Sequence, residues 1–180
     1  MKNKITKENI LDCAVDLIRQ DKEISARNIA KRLGCSTQPI YSLFKNMAEL
    51  EKELYFHIYE VHKNYIAKYA DMSGIAEYKA YGMGFVKFAQ MEKQLFSRIY
   101  IKKPFDKKYL EEDAYFIEVV NTIQEEYGIT HRQALQFHLD MTIYSYGLAA
   151  MQLAGSDISD EEISQRLTAQ FTALGKLYLE

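Results

Sequence analysis

A cluster of polar side chains near the N-terminus carries the donors and acceptors that nucleic-acid contacts require. Gln38 has an amide that can pair bidentately with adenine, and Thr37 has a hydroxyl and a methyl group that can meet a thymine methyl. Pro39 presents a rigid apolar edge for the same kind of contact. Arg27 can reach a guanine or a phosphate, and Lys45 can neutralise a phosphate. Together these residue types predict contact with the DNA major groove.

Structural roles would explain several of the same residues. Ser25 and Ser36 stand before predicted helices, where a hydroxyl caps the first turn. Ser25 could also touch a phosphate. Pro39 falls in a first helical turn, where its missing N–H costs little. Tyr41 could have only a structural role, and Lys45 could be a solvated surface lysine. A structural role and a contact with DNA therefore both stay open at this point.

Apolar residues at helical spacing place this cluster on two short helices. Thr6 is expected to cap a first helix over about 6–20, and Ser25 a second one. Gly34 should end the second helix because glycine tolerates a left-handed backbone. A short third helix is expected to start at Ser36. The pattern predicts a helix-turn-helix, whose inward residues are Ile29, Ala30, Leu33, Ile40, Leu43 and Phe44.

Helical periodicity continues along the rest of the chain. Only 2 prolines and 8 glycines interrupt the 180 residues, and no strand alternation or repeat is present. We therefore predict an all-α fold of about nine helices. Residues 1–46 would form the helix-turn-helix domain and 47–180 a helical ligand-binding and dimerisation domain. Asn46 would cap the connecting helix, and the later helices are expected at 47–70, 75–90, 92–101, 106–127, 131–154 and 159–179.

Charge is distributed unevenly along the chain. Residues 1–52 hold 10 Lys/Arg against 7 Asp/Glu, whereas residues 53–180 hold 13 against 18. A mildly basic N-terminal segment on an acidic remainder fits a small DNA-binding domain joined to a larger domain of another role. No apolar run approaches the roughly 20 residues that span a bilayer, and the N-terminus lacks the apolar stretch of a signal peptide. We expect a cytoplasmic protein without a membrane partner.

The cysteines and histidines do not indicate a metal site. Cys13 and Cys35 are interpreted as small apolar residues in a reducing compartment, with a redox switch as the alternative. The four histidines lack tight metal-ligand spacing. The chain has no nucleophile elbow, phosphate loop or plausible catalytic pair. We therefore expect no metal, no cofactor and no enzymatic activity.

About residues 6–55 combine several features at fixed spacing. They are an amphipathic first helix, Ile29-Ala30, Gly34 in the turn, Tyr41 and Phe44 three apart, and Asn46 through Leu50 opening the fourth helix. In these features the segment resembles the N-terminal domain of the TetR/AcrR family of transcriptional regulators. The total length and the all-helical remainder also fit this family, and a later segment, 144–149, is a looser match. Cys35 departs from the pattern, since the family more often has an aliphatic residue there.

The resemblance implies a regulator, most often a repressor, that binds a palindromic double-stranded DNA operator as a homodimer. A small molecule bound in the C-terminal domain would release it by favouring a state in which the fourth helix has pivoted. The resemblance also implies a phosphate contact by Tyr41, and it supports Arg27 over Lys31 and Arg32, which are expected to be solvated. Lys45 and the positive N-terminus of the fourth helix would add a second phosphate contact. Control by a protein partner, and activation in place of repression, remain as alternatives.

Aromatic and methionine side chains of the later helices are candidates to line a pocket for a medium-sized apolar or planar ligand. Ordinary core packing would explain each of them as well. His138 and Asp140 could supply a polar anchor. The candidate pocket residues are Phe85, Phe88, Met91, Phe96, Tyr100, Phe116, Phe137, Met141 and Tyr144.

The last two helices are the expected dimer face. Small residues there would allow two helices to approach closely, and larger apolar residues would supply buried area. Core packing within one subunit explains these residues almost as well. The candidate dimer residues are Gly147, Ala150, Leu153, Ala154, Phe171, Leu174 and Leu177.

Overall fold

The computed structural model of the chain describes residues 4–73, 77–102 and 114–179. Within these ranges the fold contains nine α-helices, one π-helical turn and no strand, which confirms the predicted all-α class. The π-helical turn, Ser97–Ile101, directly follows the sixth helix. The helices are α1 Lys7–Arg19, α2 Ala26–Leu33, α3 Gln38–Leu43, α4 Met47–Ser73, α5 Glu77–Met91, α6 Lys93–Phe96, α7 Ala114–Tyr127, α8 His131–Leu153 and α9 Asp160–Tyr178.

Helices α1 and α2 begin and end as their capping residues predict. The Thr6 side chain accepts a hydrogen bond from the backbone N–H of Asn9, and Ser25 accepts one from Asn28. Gly34 ends α2 with a φ of 66°, in the left-handed region. A side chain at this position would meet no atom within 4 Å, so only the backbone conformation demands glycine.

Helix α3 begins later than the sequence predicts. Its N-cap is Thr37, whose side chain makes no capping hydrogen bond. The φ and ψ of Thr37 are −74° and −13°, a helical conformation, whereas a capping hydroxyl normally requires an extended backbone. Ser36 lies one residue before this N-cap, so its predicted capping role is corrected. Pro39 does lie in the first turn of α3, as expected.

Hydrogen bonds between side chain and backbone fix the start of α4. The Asn46 side chain accepts a hydrogen bond from the backbone N–H of Glu49 at 2.9 Å, which confirms Asn46 as the cap. The helix continues to Ser73, beyond its expected end at 70. The first residues of the helices expected at 75–90 and 106–127 lie outside the described residues.

The chain divides into two compact units. In the described ranges, the first contains residues 4–64 and 92–102, and the second contains residues 65–73, 77–91 and 114–179. This division differs from the predicted boundary at residue 46. The reason is burial, because the first half of α4 and the segment 92–102 add apolar side chains to the core of the N-terminal helices. Its members include Ile10, Ala14, Ile29, Ile40, Phe44, Leu50, Leu54, Ile58, Leu95, Phe96 and Ile99.

The segment 92–102 is held within the first unit by polar contacts as well. The guanidinium of Arg19 donates to both carboxylate oxygens of Glu92, at 3.0 and 2.7 Å. In the π-helical turn, the Tyr100 hydroxyl lies 2.8 Å from the Nδ1 atom of His62, a buried residue of α4. These contacts pair the segment with both α1 and α4.

The second unit packs α5 and α9 against α8, together with α7. Thr130 and Gln133 form a reciprocal capping box at the start of α8. Ser159 caps α9 by accepting a hydrogen bond from the backbone N–H of Glu162, and the Glu162 carboxylate accepts from Arg166. No helix within the described ranges is long and apolar enough to cross a membrane.

Candidate nucleic-acid interface

Helix α3 exposes one polar face. Thr37, Gln38, Tyr41 and Ser42 are all exposed and share one side of the helix, because they stand at positions i, i+1, i+4 and i+5. Ile40 points the other way and is 1% exposed. Tyr41 is 53% exposed, which is high for a large aromatic side chain. The surface of α3 therefore offers an amide, hydroxyls and an aromatic ring to an external partner.

The cations of the first unit differ in their partners. The side chains of Arg27 and Lys45 are exposed, and within the described ranges neither makes an ion pair or a side-chain hydrogen bond. Lys31 is also exposed, as expected. Other cations of this unit pair with carboxylates, among them Lys7 with Glu53, Arg19 with Glu92, and Arg32 with Asp16. Arg32 is exposed as expected, and it also forms an ion pair with Asp16.

The serines of the predicted set are placed differently. Ser25 is half-buried and its hydroxyl oxygen accepts from the Asn28 N–H at 3.2 Å. The hydroxyl proton of Ser25 stays available for donation. Ser36 is exposed. Contact with an external partner is the one predicted role left to Ser36, since it does not cap α3.

The N-terminus of α4 is less open to a phosphate than the sequence suggests. The Glu49 carboxylate accepts a hydrogen bond from the backbone N–H of Lys45 at 2.6 Å. A carboxylate at this position compensates the positive end of the helix dipole. The predicted phosphate contact by the N-terminus of α4 is therefore corrected. The Lys45 side chain remains as the cation at the start of this helix.

A groove runs between α1 and the segment that joins α2 to α3, and we call it the α1–α3 groove. Gln38 and Pro39 lie along its edge, and Pro39 is half-buried. Asp12 and Asp16 face the same groove from α1. The polar side chains of α3 therefore do not all point directly away from the first unit, although Gln38 remains exposed.

The nine candidate pocket residues are distributed over both units. Phe96 and Tyr100 belong to the first unit, and the others belong to the second. Phe88, Phe96 and Phe137 are completely buried core side chains, and Met91 is 68% exposed. The candidate pocket residues were predicted from residue type alone. Core side chains and pocket walls use the same residue types, so residue type does not separate the two roles.

One cleft in the second unit does combine predicted and unpredicted residues. It has a volume of about 50 Å³, and Phe85 and Met141 are its members from the predicted set. His138, which the sequence suggested as a polar anchor, also lines the cleft. The residues that the sequence did not reveal lie at helical spacing on α5 and α8, and this spacing was the available signal. They are Tyr78, Tyr81, Gly82, Thr142 and Ser145.

The polar end of this cleft is electrically neutral. The Tyr78 hydroxyl lies 2.9 Å from His138 Nδ1, and the ring centroids of Phe116 and His138 are 4.4 Å apart. Burial lowers the pKa of His138 to about 4 and raises the pKa of Tyr78. Asp140, the other proposed anchor, accepts from the Tyr178 hydroxyl at 3.0 Å instead. The cleft thus offers hydrogen bonds without a formal charge.

Two predicted pocket residues pack elsewhere in the second unit. Phe116 is 6% exposed and lies against His138, behind the cleft. Tyr144 is half-buried and lies close to Arg166 of α9, whose pKa is raised by Glu162 and to a smaller extent by Tyr144.

The candidate dimer residues have unequal exposure. Gly147, Ala154 and Leu177 are exposed, and Leu177 reaches 66%. Ala150, Leu153 and Leu174 are half-buried. Phe171 packs inside the second unit, with its ring centroid 5.4 Å from that of Tyr78 and 5.3 Å from that of Phe137. Two large exposed side chains on the Gly147 side of α8, Ile143 and Met151, were not among the predicted residues.

Comparison with known proteins adds no family or relative. No family model matches the chain, and no curated protein matches it. Across the described ranges, no group of three or more His, Cys, Asp or Glu side chains is placed to hold a metal ion.

Proposed function

We propose that the protein is a DNA-binding transcriptional regulator of the TetR/AcrR type that inserts α3 into the major groove. The observation that carries the proposal is the exposed face of α3. Thr37, Gln38 and Tyr41 stand on or beside a six-residue helix, and the same unit carries the exposed cations Arg27 and Lys45. A helix this short buries little apolar area, so packing alone does not account for an exposed aromatic ring and amide.

The proposed contacts divide into base readout and phosphate contact. Gln38 and Thr37 reach base edges, with Arg27 on a guanine or a phosphate. Tyr41 and Lys45 contact phosphates. The two serines, Ser25 and Ser36, donate to the backbone of the same half-site, and Pro39 adds an apolar contact.

A homodimer follows from the small size of this reading surface. One six-residue helix contacts few base pairs, and two-fold symmetry doubles the recognised sequence. The apolar side chains of Ile143, Met151 and Leu177 are 51%, 48% and 66% exposed, and they support α8 and α9 as the dimer face. A side-chain carbon added at Gly147 would meet no atom within 4 Å, which leaves room for a partner helix.

Selection of bound sequences from a random duplex pool tests the proposal. We expect enrichment of a palindrome whose half-sites are about one helical turn, roughly 34 Å, apart. Recovery of an unenriched pool at low salt would reject DNA recognition, and recovery of single half-sites would reject the dimer. The variant Gln38→Ala should change the preferred bases without changing the half-site spacing.

We propose repression relieved by a small neutral ligand in the cleft between α5 and α8. The Tyr78–His138 pair would hydrogen-bond its polar group, and Phe85 and Met141 would contact its apolar part. Phenols, indole and comparable neutral aromatics are the class to test, by the shift in thermal unfolding temperature. Equal operator affinity with and without a saturating compound that binds would contradict ligand release.

A second candidate is a regulator of the same fold that answers to a protein partner. The small cleft favours it, because about 50 Å³ is less than the roughly 150 Å³ cavity that holds benzene in an engineered protein. If no small aromatic compound raises the unfolding temperature and operator binding is intact, the regulator controlled by a protein partner is the better candidate. Activation in place of repression uses the same DNA contacts, and a reporter gene placed behind the selected operator would distinguish them.

A further inference from the structure

Both cysteines of the chain hydrogen-bond to backbone carbonyls of α2. The sulfur of Cys13, on α1, lies 3.9 Å from the carbonyl oxygen of Ile29. The backbone N–H of Cys35 donates to the carbonyl of Ala30 at 3.0 Å. Ile29 and Ala30 are consecutive residues, so both cysteines contact the same helical turn. Both also line the α1–α3 groove.

The two thiols differ in access. Cys13 is 5% exposed, and burial, opposed in part by the nearby guanidinium of Arg32, raises the pKa of its thiol. Cys35 is half-buried and opens to the groove. A dissolved oxidant therefore reaches the sulfur of Cys35 first, and Cys13 is a protected second thiol that lines the same groove.

We propose that Cys13 and Cys35 form an oxidation-sensitive pair that closes to a disulfide when the protein meets a hydroperoxide. The Cys35 sulfur attacks the peroxide, the O–O bond breaks, and Cys35 becomes a sulfenic acid while one water leaves. The Cys13 sulfur then attacks the Cys35 sulfur. The S–O bond breaks, and hydroxide leaves as a second water with the Cys13 proton. Overall, two thiols and one hydrogen peroxide give one disulfide and two waters.

The bond would act on the segment that leads into α3. A disulfide requires the two Cα atoms to lie about 4.4–6.8 Å apart, so closure ties α1 directly to the residue after Gly34. Cys35 stands three positions before Gln38, the first residue of α3. Restraining Cys35 therefore restrains α3, and this regulatory step rests on the proposed function, whereas disulfide formation does not.

Peptide mapping tests the pair. The full-length protein is treated with hydrogen peroxide, alkylated and digested with trypsin without reductant. We expect the peptides 8–19 and 33–45 joined, at a mass two hydrogens below their sum, and separated again by dithiothreitol. Alkylation of both thiols after treatment, or a disulfide joining Cys35 of two copies, would overturn the proposal.

Two variants assign the roles of the sulfurs. In Cys13→Ala, the sulfenic acid of Cys35 has no partner, so dimedone should trap it at position 35. In Cys35→Ser, neither the crosslink nor the dimedone adduct should form at the same peroxide dose. A dimedone adduct at Cys13 in the second variant would contradict the order of attack. Far-ultraviolet circular dichroism checks that both variants fold.

DNA binding separates this proposal from the proposed function. The oxidised protein should bind the selected operator at least tenfold more weakly than the reduced protein, and Cys13→Ala should lose this response. A crosslink that leaves operator affinity unchanged would reject the regulatory step alone. A crosslink in a protein that selects no DNA would reject the proposed function and leave the thiol pair established.

Discussion

At the scale of single residues, Arg27 and Arg32 show how the surroundings of a cation decide its role. Both stand on α2, but Arg32 is bound to Asp16 at 3.2 Å, whereas Arg27 has an exposed side chain without an ion pair in the described ranges. In an ion pair, the carboxylate partly neutralises the positive charge of the guanidinium. Arg27 can give its full charge and five donors to a new partner.

We expect Arg27→Ala to weaken binding to the selected operator by about 1–3 kcal/mol and to relax one base position. The physical reason is loss of a bidentate contact to guanine. Affinities for operators that vary one base pair at a time measure the effect. Arg132→Ala is the matched control, because Arg132 is exposed on α8 of the second unit. Equal discrimination at every position by Arg27→Ala would remove the base contact.

Lys45→Ala should weaken binding to all duplexes alike. A lysine that contacts only phosphate releases about one counterion, so the slope of log affinity against log salt should fall by about 0.9. Titrations of the operator and of an unrelated duplex at several salt concentrations measure this. Lys52→Ala, an exposed lysine further along α4, should leave the slope unchanged. A loss confined to the operator would mean that Lys45 reads bases.

The buried histidines make stability depend on pH. Burial lowers the pKa of His138 to about 4 and that of His62 to about 3, below the ordinary 6.5 of an unfolded chain. The unfolded chain therefore takes up protons first as the pH falls. The full contribution of each buried histidine to the free energy of unfolding is therefore present above pH 6.5. It is lost as the pH falls towards the folded-state pKa values. By pH 5 each histidine should lower the free energy of unfolding by about 2 kcal/mol.

Urea denaturation between pH 7 and pH 5 measures this loss. His138→Gln removes one titrating group, so its free energy of unfolding should fall less steeply over the same range than that of the unmodified protein. Identical slopes of the free energy of unfolding against pH would show that the pKa of His138 does not change on folding, contrary to its burial in the cleft.

At the scale of elements, the capping residues made most helix ends predictable. Thr6, Ser25, Asn46 and Ser159 each accept a backbone N–H at the helix start that the sequence indicates. Such local hydrogen bonds depend on a few neighbouring residues, so they can be read without tertiary information. The start of α3 was misplaced because Thr37 adopts a helical backbone, which residue type alone does not decide.

Gly34→Ala should lower the free energy of unfolding by about 1–2 kcal/mol. Its φ is 66°, and an added methyl group would meet no atom within 4 Å, so the cost is backbone strain alone. Gly34→Asn should cost less, because asparagine tolerates the left-handed region. Urea denaturation of the three proteins measures the order. Equal losses for both variants would point to a steric cause.

The π-helical turn shows the limit of local prediction. Ser97–Ile101 continues α6, and the sequence suggested only an ordinary helix over 92–101. The turn places the Tyr100 hydroxyl on His62, a residue 38 positions away in the chain. A distant partner of this kind leaves no periodic signal in the sequence, so only an ordinary helix could be predicted over 92–101.

At the scale of the whole molecule, the proposed dimer face can be tested without disturbing the fold. Leu177 is 66% exposed on α9, so Leu177→Glu should not alter the core of the second unit. A carboxylate at an apolar dimer face would lose solvation and oppose its symmetry mate. We expect the variant to sediment as a monomer at micromolar concentration, and we expect the unmodified protein to sediment as a dimer.

Thr168→Glu is the matched control, since Thr168 is exposed nine residues earlier, on the other side of α9. This variant should remain a dimer. Dissociation by both variants would indicate a general effect of charge on α9, and dissociation by neither would move the dimer face away from Leu177.

The division into two units has a consequence for how such a protein can diverge. The first unit is not continuous in sequence, because residues 92–102 return to it after the chain has passed through α5 of the second unit. A recombination event that exchanged only residues 1–64 would leave behind Glu92, the partner of Arg19. The helices proposed to contact DNA therefore cannot be exchanged on their own. A chimera with a new recognition helix should keep the N-terminal helices and residues 92–102 from one protein, or replace both segments together.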